Sequence, residues 1–106
     1  MASDTIEPCM IGPLTQIPVG EGRNMVVGNR TLAVFHLHGG AVYATQPTCP
    51  HRGGPLADGL TGNHSVMCPL HDRVFDLRTG AGPDCSITVV PVRVRDGMMV
   101  VDLMTA

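Results

Sequence analysis

The sequence predicts an all-β fold of antiparallel strands, and three observations support that prediction. No stretch of about a dozen residues combines a 3.6-residue apolar period with good helix formers and freedom from glycine and proline. The 13 glycines and 9 prolines instead divide the chain into short segments. Residues 92–95 alternate valine with arginine, which gives one apolar and one charged face and is typical of an antiparallel strand with one face in solvent.

Short β-like segments, separated by turn sequences, occupy both ends of the chain. The predicted strands are 25–27, 31–37, 41–45, 87–90, 92–95 and 98–103. Gly28-Asn29 between the first two strands predicts a tight hairpin, and Asp96-Gly97 predicts another between the last two. The run 38–40 is a further turn, and Pro91 separates 87–90 from 92–95. These local signals together favour antiparallel hairpins.

The length of 106 residues predicts a single domain, 1–106, with little room for a second core. Within it, residues 46–84 differ from the flanking β segments, since they are rich in Pro, Gly, Cys and His. We interpret this stretch as a loop-rich subdomain inserted into a β framework. A long irregular insertion in a small domain is usually functional or held together by a cross-link or a metal.

Composition and charge exclude several classes of function. The net charge is −2 and there is no basic tract, so nucleic acid is not expected as a partner. No apolar run approaches the ~20 residues that span a bilayer, so no membrane partner is expected. Residues 1–15 lack a basic region followed by an apolar one and carry Asp4 and Glu7. We therefore expect a cytoplasmic, reducing location.

Two short motifs carry the chemistry: Cys49-Pro50-His51 and Cys68-Pro69-Leu70-His71. Sixteen residues separate His51 from Cys68, and each motif places one thiolate and one imidazole in a tight loop. Two such loops facing each other supply two sulfurs to one metal and two nitrogens to another. That division matches a [2Fe–2S] cluster in which histidines replace two cysteines on one iron. A neutral imidazole leaves the cluster less negative than a thiolate does, so adding an electron costs less.

The same residues are also compatible with two other kinds of metal site. A Cys2His2 set is also a zinc set, which would make the chain a zinc-stabilised binding module without redox activity. Zinc motifs usually pair Cys with Cys and His with His, whereas here each short loop mixes the two. A mononuclear catalytic site is less favoured, because no carboxylate lies beside either motif in a third-ligand pattern.

The residues around both motifs resemble the two cluster loops of the Rieske family. The resemblance rests on Cys49 to Leu56 (CPHRGGPL), on Cys68 to His71 (CPLH) and on Val74 to Gly80 (VFDLRTG). Flanking segments at 20–22, 40–44 and 82–83 agree with it, and the similarity runs from about residue 12 to residue 104. The paired ligand motif is highly specific, whereas the flanks are supportive.

The resemblance implies a Rieske-type antiparallel β-sandwich framework with a small loop-rich cluster-binding subdomain, about 46–84. It implies one [2Fe–2S] cluster, with Cys49 and Cys68 on the inner iron and His51 and His71 on the outer one. Gly82-Pro83 resembles the third loop of the family, which covers the cluster. Cys9 and Cys85 lie outside the motif, and we interpret both as thiols that are not ligands.

Four positions depart from the high-potential branch of the family. That branch carries a disulfide between the cluster loops at the positions of Gly54 and Leu70, so the bridge cannot form here. A serine and a tyrosine that donate hydrogen bonds to the cluster correspond to Arg73 and Phe75. Fewer donors to sulfur stabilise the reduced cluster less. We therefore expect a midpoint potential near the low end of the Rieske range, about −150 mV rather than +300 mV.

The function implied is soluble electron transfer rather than catalysis. The chain carries no dinucleotide fingerprint and no room for a substrate domain. Small Rieske proteins are similar to two groups, the ferredoxin components of ring-hydroxylating dioxygenases and the small subunits of NAD(P)H-dependent nitrite reductase. The expected partners are accordingly a reductase and a terminal oxygenase or nitrite reductase. The runs 50–59 and 75–80 lean toward the nitrite reductase group, and the pattern sets no oligomeric state.

Overall fold

The computed structural model describes residues 5–27, 30–50, 54–69, 73–83 and 85–105. Ten β-strands account for most of this part of the chain, and no α-helix occurs among its residues. The strands are Thr5–Pro13 (β1), Glu21–Val27 (β2), Arg30–His36 (β3), Val42–Thr45 (β4), Leu60–Thr61 (β5), Ser65–Met67 (β6), Val74–Asp76 (β7), Val89–Val90 (β8), Val92–Arg95 (β9) and Met98–Thr105 (β10). The predicted all-β class is confirmed.

The four-stranded sheet has the order β2-β3-β4-β8, with every pair antiparallel. Its first hairpin is the one predicted from the sequence, with Val27 opposite Arg30, while the predicted turn residues Gly28 and Asn29 lie outside the described residues. The turn at 38–40 is also confirmed. Gly39 and Gly40 there have φ of +90° and +92°, a conformation that glycine adopts without steric cost.

The chain ends form a three-stranded sheet of order β1-β10-β9. The turn at Asp96-Gly97, where both residues have positive φ, joins β9 to β10 as predicted. Strand β10 runs two residues beyond the predicted 98–103, whereas the predicted 87–90 strand is regular only at Val89–Val90. Strand β1 was not predicted from the sequence. It pairs with β10 along its whole length, with an irregularity between Met10 and Gly12.

Strand β3 is buried on both faces and separates two apolar cores. Side chains alternate between the faces of a strand, so Leu32 and Val34 enter one core while Ala33 and Phe35 enter the other. The first core lies against the terminal sheet and contains Met99. The second core contains two residues of the candidate site, Cys49 and Cys68.

Between β4 and β8 the chain builds a third sheet, of order β5-β6-β7. Its inner face contributes Val66 and Phe75, both completely buried, to the second core. The 3₁₀ turn Leu56–Asp58 packs against β2 and β3 and precedes this sheet. The region 46–84 is therefore not made only of loops, since it has a small sheet from which the loops project. None of the described helical turns is long and apolar enough to cross a membrane.

Candidate metal centre

Cys49 lies at the neck of the first loop. Its backbone N–H donates to the carbonyl oxygen of Gly54 at 2.8 Å, and Thr48 forms an isolated β-bridge with Pro55. The backbone N–H of Leu56 then donates to the carbonyl of Pro47 at 3.1 Å. These bonds close a six-residue loop, 49–54, whose first residue is the cysteine.

Cys68 occupies the equivalent place in the second loop. Its backbone N–H donates to the carbonyl oxygen of Arg73 at 2.7 Å, again five residues along the chain. Directly before it, Met67 pairs with Val74 at the end of the β6-β7 hairpin. The two predicted thiolate ligands thus open two loops of equal length, each closed by the cysteine's own backbone N–H.

Both thiols are buried in the same apolar core. Cys49 is 1% exposed and Cys68 is fully buried, and both belong to the core that contains Leu56 and Phe75. No disulfide links any of the chain's four cysteines, all of which the structure describes. Two unbridged thiols with a dry apolar surround fit an iron–sulfur cluster, since thiolates are its ligands and the apolar shell controls its solvent access.

The two predicted imidazole ligands, His51 and His71, lie outside the described residues. Each belongs to a loop whose neck is described, His51 to 49–54 and His71 to 68–73. Among the described residues alone, no group of three or more His, Cys, Asp or Glu side chains is placed to hold a metal ion. The structure therefore describes the two predicted cysteine ligands, Cys49 and Cys68, and not the two predicted histidine ligands.

A third loop, 81–86, projects from the same region. It is closed by the bridge between Ala81 and Ser86 and by the N–H of Ile87, which donates to the carbonyl of Gly80 at 2.8 Å. Gly82 in this loop is packed so tightly that a Cβ would lie 2.6 Å from the ring of Phe75. The third loop therefore lies directly against strand β7, which follows the second loop.

Three of the four positions that depart from the high-potential branch are described. Gly54 and Arg73 supply the carbonyls that close the two loops, and Phe75 is fully buried without a hydroxyl. Leu70 lies outside the described residues. Cys9 packs against the first core, on the opposite side of β3, whereas Cys85 is half-buried against the second core with Cys49 and Cys68.

One ion pair shapes the turn after β7. The guanidinium of Arg78 contacts the carboxylate of Asp76 at 3.2 Å, and the Arg78 backbone N–H donates to the same carboxylate at 2.7 Å. These hydrogen bonds hold the pKa of Asp76 below its ordinary value, and Asp76 in turn raises the pKa of Arg78. Both groups face solvent, so the pair shapes the turn more than it stabilises the fold.

Three side chains that the sequence analysis did not single out connect the loop region to the framework. Gln46 donates from Nε2 to the carbonyl of Thr48 at 2.7 Å and accepts at Oε1 from the N–H of Thr88 at 2.9 Å. It thus joins the stem of the first loop to the segment after the third. The hydroxyl of Thr61 donates to the carbonyl of Gly20 at 2.7 Å. Tyr43 hydrogen-bonds His64, whose φ is +59°. No short sequence motif predicts such long-range contacts.

The β framework buries two unbridged cysteines, each at the neck of its own loop, and this arrangement suits a small metalloprotein with thiolate ligands. The chain belongs to the Rieske-like [2Fe–2S] domain family, whose sequence profile matches residues 9–102. It holds one [2Fe–2S] cluster and transfers electrons rather than catalysing a reaction of its own. The predicted family, cofactor and class of function are confirmed.

Curated relatives of the chain include ferredoxin components of oxygenase systems. The chain is 32% identical to the anthranilate 1,2-dioxygenase ferredoxin subunit of Burkholderia cepacia, over 88% of this chain and 89% of the relative. It is 30% identical to the ferredoxin component of the naphthalene 1,2-dioxygenase system of Pseudomonas aeruginosa, over 85% of this chain and 89% of the relative. Nothing in these similarities supports the zinc alternative.

Solved structures include both of the groups considered from the sequence. The ferredoxin of carbazole 1,9a-dioxygenase from Nocardioides aromaticivorans IC177 superposes with a TM-score of 0.79 at 28% identity, over 89% of this chain and 95% of that one. A candidate small subunit of NADH-dependent nitrite reductase from Mycobacterium tuberculosis gives a TM-score of 0.87 at 23% identity, over 97% and 100%. The second likeness establishes the shared fold alone.

Proposed function

We propose that this chain is the ferredoxin component of an oxygenase system, passing single electrons from a reductase to a terminal ring-hydroxylating oxygenase. The observation that carries the proposal is the similarity to dioxygenase ferredoxins over 85% to 88% of the chain, at 30% identity or more. The buried cysteines Cys49 and Cys68 supply the two thiolates that the cluster of such a ferredoxin would need. A solved neighbour at 27% identity is a complex of an oxygenase with its ferredoxin, and that too supports a protein partner.

The proposed ligands are Cys49 and Cys68 for the inner iron and His51 and His71 for the outer one. The placement of both cysteines at the necks of matched loops supports the sulfur half of this set. The spacing of the two motifs supports the histidine half. The loops, and the subdomain 46–84 that carries them, would then form one part of a single domain, 1–106.

When bound, the cluster supplies a centre that takes up and gives up one electron. The chain's own residues determine its surroundings. Leu56 and Phe75 are fully buried in the core that holds both cysteines and keep water from the sulfur side. The hydrogen bonds that close the two loop necks hold the backbone of each cysteine in place. A backbone held in this way limits the rearrangement that accompanies each change of charge.

We also propose a midpoint potential at the low end of the Rieske range, about −150 mV. Phe75 offers no hydroxyl from its buried position, and Gly54 offers no sulfur for a disulfide. Both differences remove groups that favour the reduced cluster in the high-potential branch. A redox titration that gave a clearly positive midpoint would contradict this part of the proposal.

The second candidate acceptor is a nitrite reductase, for which this chain would be the small subunit. The superposition on the Mycobacterium tuberculosis protein favours it on fold alone, and the runs 50–59 and 75–80 lean the same way. We place the oxygenase system first because it includes relatives at 30% identity or more, among them the anthranilate and naphthalene dioxygenase ferredoxins. We propose a cytoplasmic location as part of the same function.

The ligand set is tested by spectroscopy of purified variants. C49S, C68S, H51A and H71A should each abolish the visible absorption and the low average-g EPR signal of the reduced cluster. C9S is the matched control, because Cys9 is half-buried against the other core and should leave both signals intact. A colourless wild-type protein with one zinc and no iron would overturn the cluster assignment.

The acceptor is tested by reconstitution. The reduced holoprotein is mixed separately with the oxygenase components of the anthranilate and naphthalene dioxygenases and with a nitrite reductase large subunit, and its reoxidation is followed in the visible. Reoxidation by an oxygenase, with turnover of its aromatic substrate, is the expected result. Transfer to the nitrite reductase alone would move the chain to the second group.

A further inference from the structure

The outer face of the small sheet carries an aliphatic stripe formed by Leu60, Met67 and Val74. Leu60 on β5 lies directly opposite Met67 on β6, and Met67 lies directly opposite Val74 on β7. Directly opposed residues point to the same face of a sheet, so the three side chains form one row across all three strands. The residues of the next row, Val66 and Phe75, point inward and are completely buried.

The aliphatic stripe is open to solvent. Leu60 is 73% exposed and Val74 is 43% exposed, while Met67 between them is half-buried. Polar side chains are the usual occupants of the solvated face of an antiparallel sheet. Exposed apolar residues also occur on other strands. Val26, also 73% exposed, lies opposite Thr31, whereas Met10 lines a pocket with Met98 and Val100 on the terminal sheet, which carries neither cluster loop.

The stripe adjoins the second loop. Met67 is followed directly by Cys68, and Val74 follows Arg73, whose carbonyl closes the loop neck. A protein seated on the stripe would therefore lie beside the loop that carries Cys68 and His71. Electron transfer requires such proximity, whereas a structural contact could occur on any face.

A polar groove flanks the stripe at Leu60. Its volume is about 430 Å³, and its walls include Glu21, Arg23, His38 and Asp58. Glu21 and Arg23 form an ion pair at 2.8 Å, so the groove presents charges of both signs. An apolar row with a polar margin is the usual arrangement of a protein–protein interface.

The size of the stripe indicates the kind of partner. Three aliphatic side chains cannot supply the roughly 800 Å² per partner that a standard, stable interface buries. This size does not fit a permanent dimer of the chain. Redox proteins form some of the smallest specific interfaces, because an electron carrier must leave its partner after each transfer.

We propose that the aliphatic stripe is the surface on which the oxygenase docks, through an apolar patch of its own. The inference rests on the proposed function. It adds to that function the surface that contacts the oxygenase, which is the outer face of the β5-β6-β7 sheet. Removing apolar area there should weaken the encounter and leave the cluster and its potential unchanged. The groove beside Leu60 would accommodate polar groups at the margin of the same patch.

The test uses the full-length holoprotein as the varied substrate of whichever oxygenase component wild type reduces fastest in the reconstitution above. The variants are L60T and V74T, since threonine suits a strand and removes apolar surface. V26T is the matched control, because Val26 has the same exposure as Leu60 but lies on another sheet. KM for the holoprotein and kcat are measured, with the midpoint potential and visible spectrum of each variant.

A rise in KM of about tenfold for L60T and V74T, with kcat, potential and V26T unchanged, is expected. Kinetics of L60T and V74T equal to those of V26T would overturn the docking surface and leave the proposed function standing. A changed potential or kcat at constant KM would also overturn it, because the stripe would then act within the molecule. Failure of wild type with every oxygenase would overturn the proposed function, and the stripe with it.

Discussion

The phenolic oxygen of Tyr43 lies 3.0 Å from Nδ1 of His64, and the two rings meet edge to face with centroids 5.9 Å apart. Tyr43 belongs to strand β4 of the framework, whereas His64 precedes β6 and the second loop. The carbonyl of His64 also accepts from the N–H of Leu77, just beyond β7. One residue with an unusual backbone conformation therefore joins both ends of the β6-β7 hairpin to the four-stranded sheet.

Removing the Tyr43 hydroxyl should destabilise the protein. Y43F leaves the ring in place and deprives Nδ1 of His64 of its partner, at a cost of about 1 kcal/mol. For a chain of this size that corresponds to a fall in Tm of about 5 °C. Differential scanning calorimetry of the holoprotein measures it, with H38N as the control, since His38 is an exposed histidine in a turn. An unchanged Tm for Y43F would show that the contact contributes nothing.

Replacing Gln46 should loosen the first loop. Q46E keeps the acceptor for the Thr88 N–H but sets a carboxylate against the carbonyl of Thr48, and Q46M removes both bonds. Loss of about 1 kcal/mol should speed release of the cluster to a chelator about fivefold. The rate is followed as bleaching of the visible absorption, with Q16M as the exposed control. Equal rates for all four proteins would contradict a role for Gln46 in holding the loop.

Gly80 should tolerate no side chain. Its φ is +85°, and a Cβ there would overlap the carbonyl oxygen of Ile87. G80A should therefore lower the free energy of unfolding by about 3 kcal/mol, from backbone strain together with overpacking. G39A is the matched control, because Gly39 has nearly the same φ but open space around it. Chemical denaturation of both variants separates the two causes, and equal losses would exclude the close approach as one of them.

The Asp76–Arg78 pair predicts a pH dependence with a definite sign. The pKa of Asp76 is lowered in the folded state, chiefly by its hydrogen bonds with Arg78. The contribution of ionised Asp76 to folding stability is therefore fully present above the ordinary pKa of the carboxyl group. It is lost as the pH falls through the lowered pKa of the folded state. R78Q should return the Asp76 titration toward its ordinary range. Carbon-detected NMR of the Asp76 carboxyl measures this, and identical titrations in both proteins would contradict the pairing.

Removing iron should destabilise the loop region most. Without metal, two buried thiols remain among apolar side chains, and the two ligand loops lose their shared cross-link. Hydrogen exchange in the iron-free protein should rise over 65–76, while 30–36 in the central sheet stays protected. Mass-spectrometric exchange on holoprotein and iron-free protein checks this. If each segment were protected equally in the holoprotein and in the iron-free protein, the loops would keep their structure without the cluster.

The hairpins and the ligand motifs were predictable because their signals are local. The hairpin of β2 and β3 needs only its two strands and the turn between them, and Cys49 and Cys68 stand in spacings that few other sites use. Strand β1 was not predictable, because Pro8, Gly12 and Pro13 interrupt any alternation and its partner lies at the other end of the chain. The contacts of Gln46 with Thr88 escape prediction for the same reason, since 42 residues separate them.

The pairing of β1 with β10 also governs when the protein can fold. Thr5 lies opposite Thr105, so the terminal sheet is incomplete until the last strand has been synthesised. At translation rates of roughly 5–20 residues per second, β1 waits for seconds as an unpaired strand. The residues that it contributes to the first core, Cys9 and Ile11, stay exposed for that time. The nascent chain is consequently a better client for a chaperone than the finished protein.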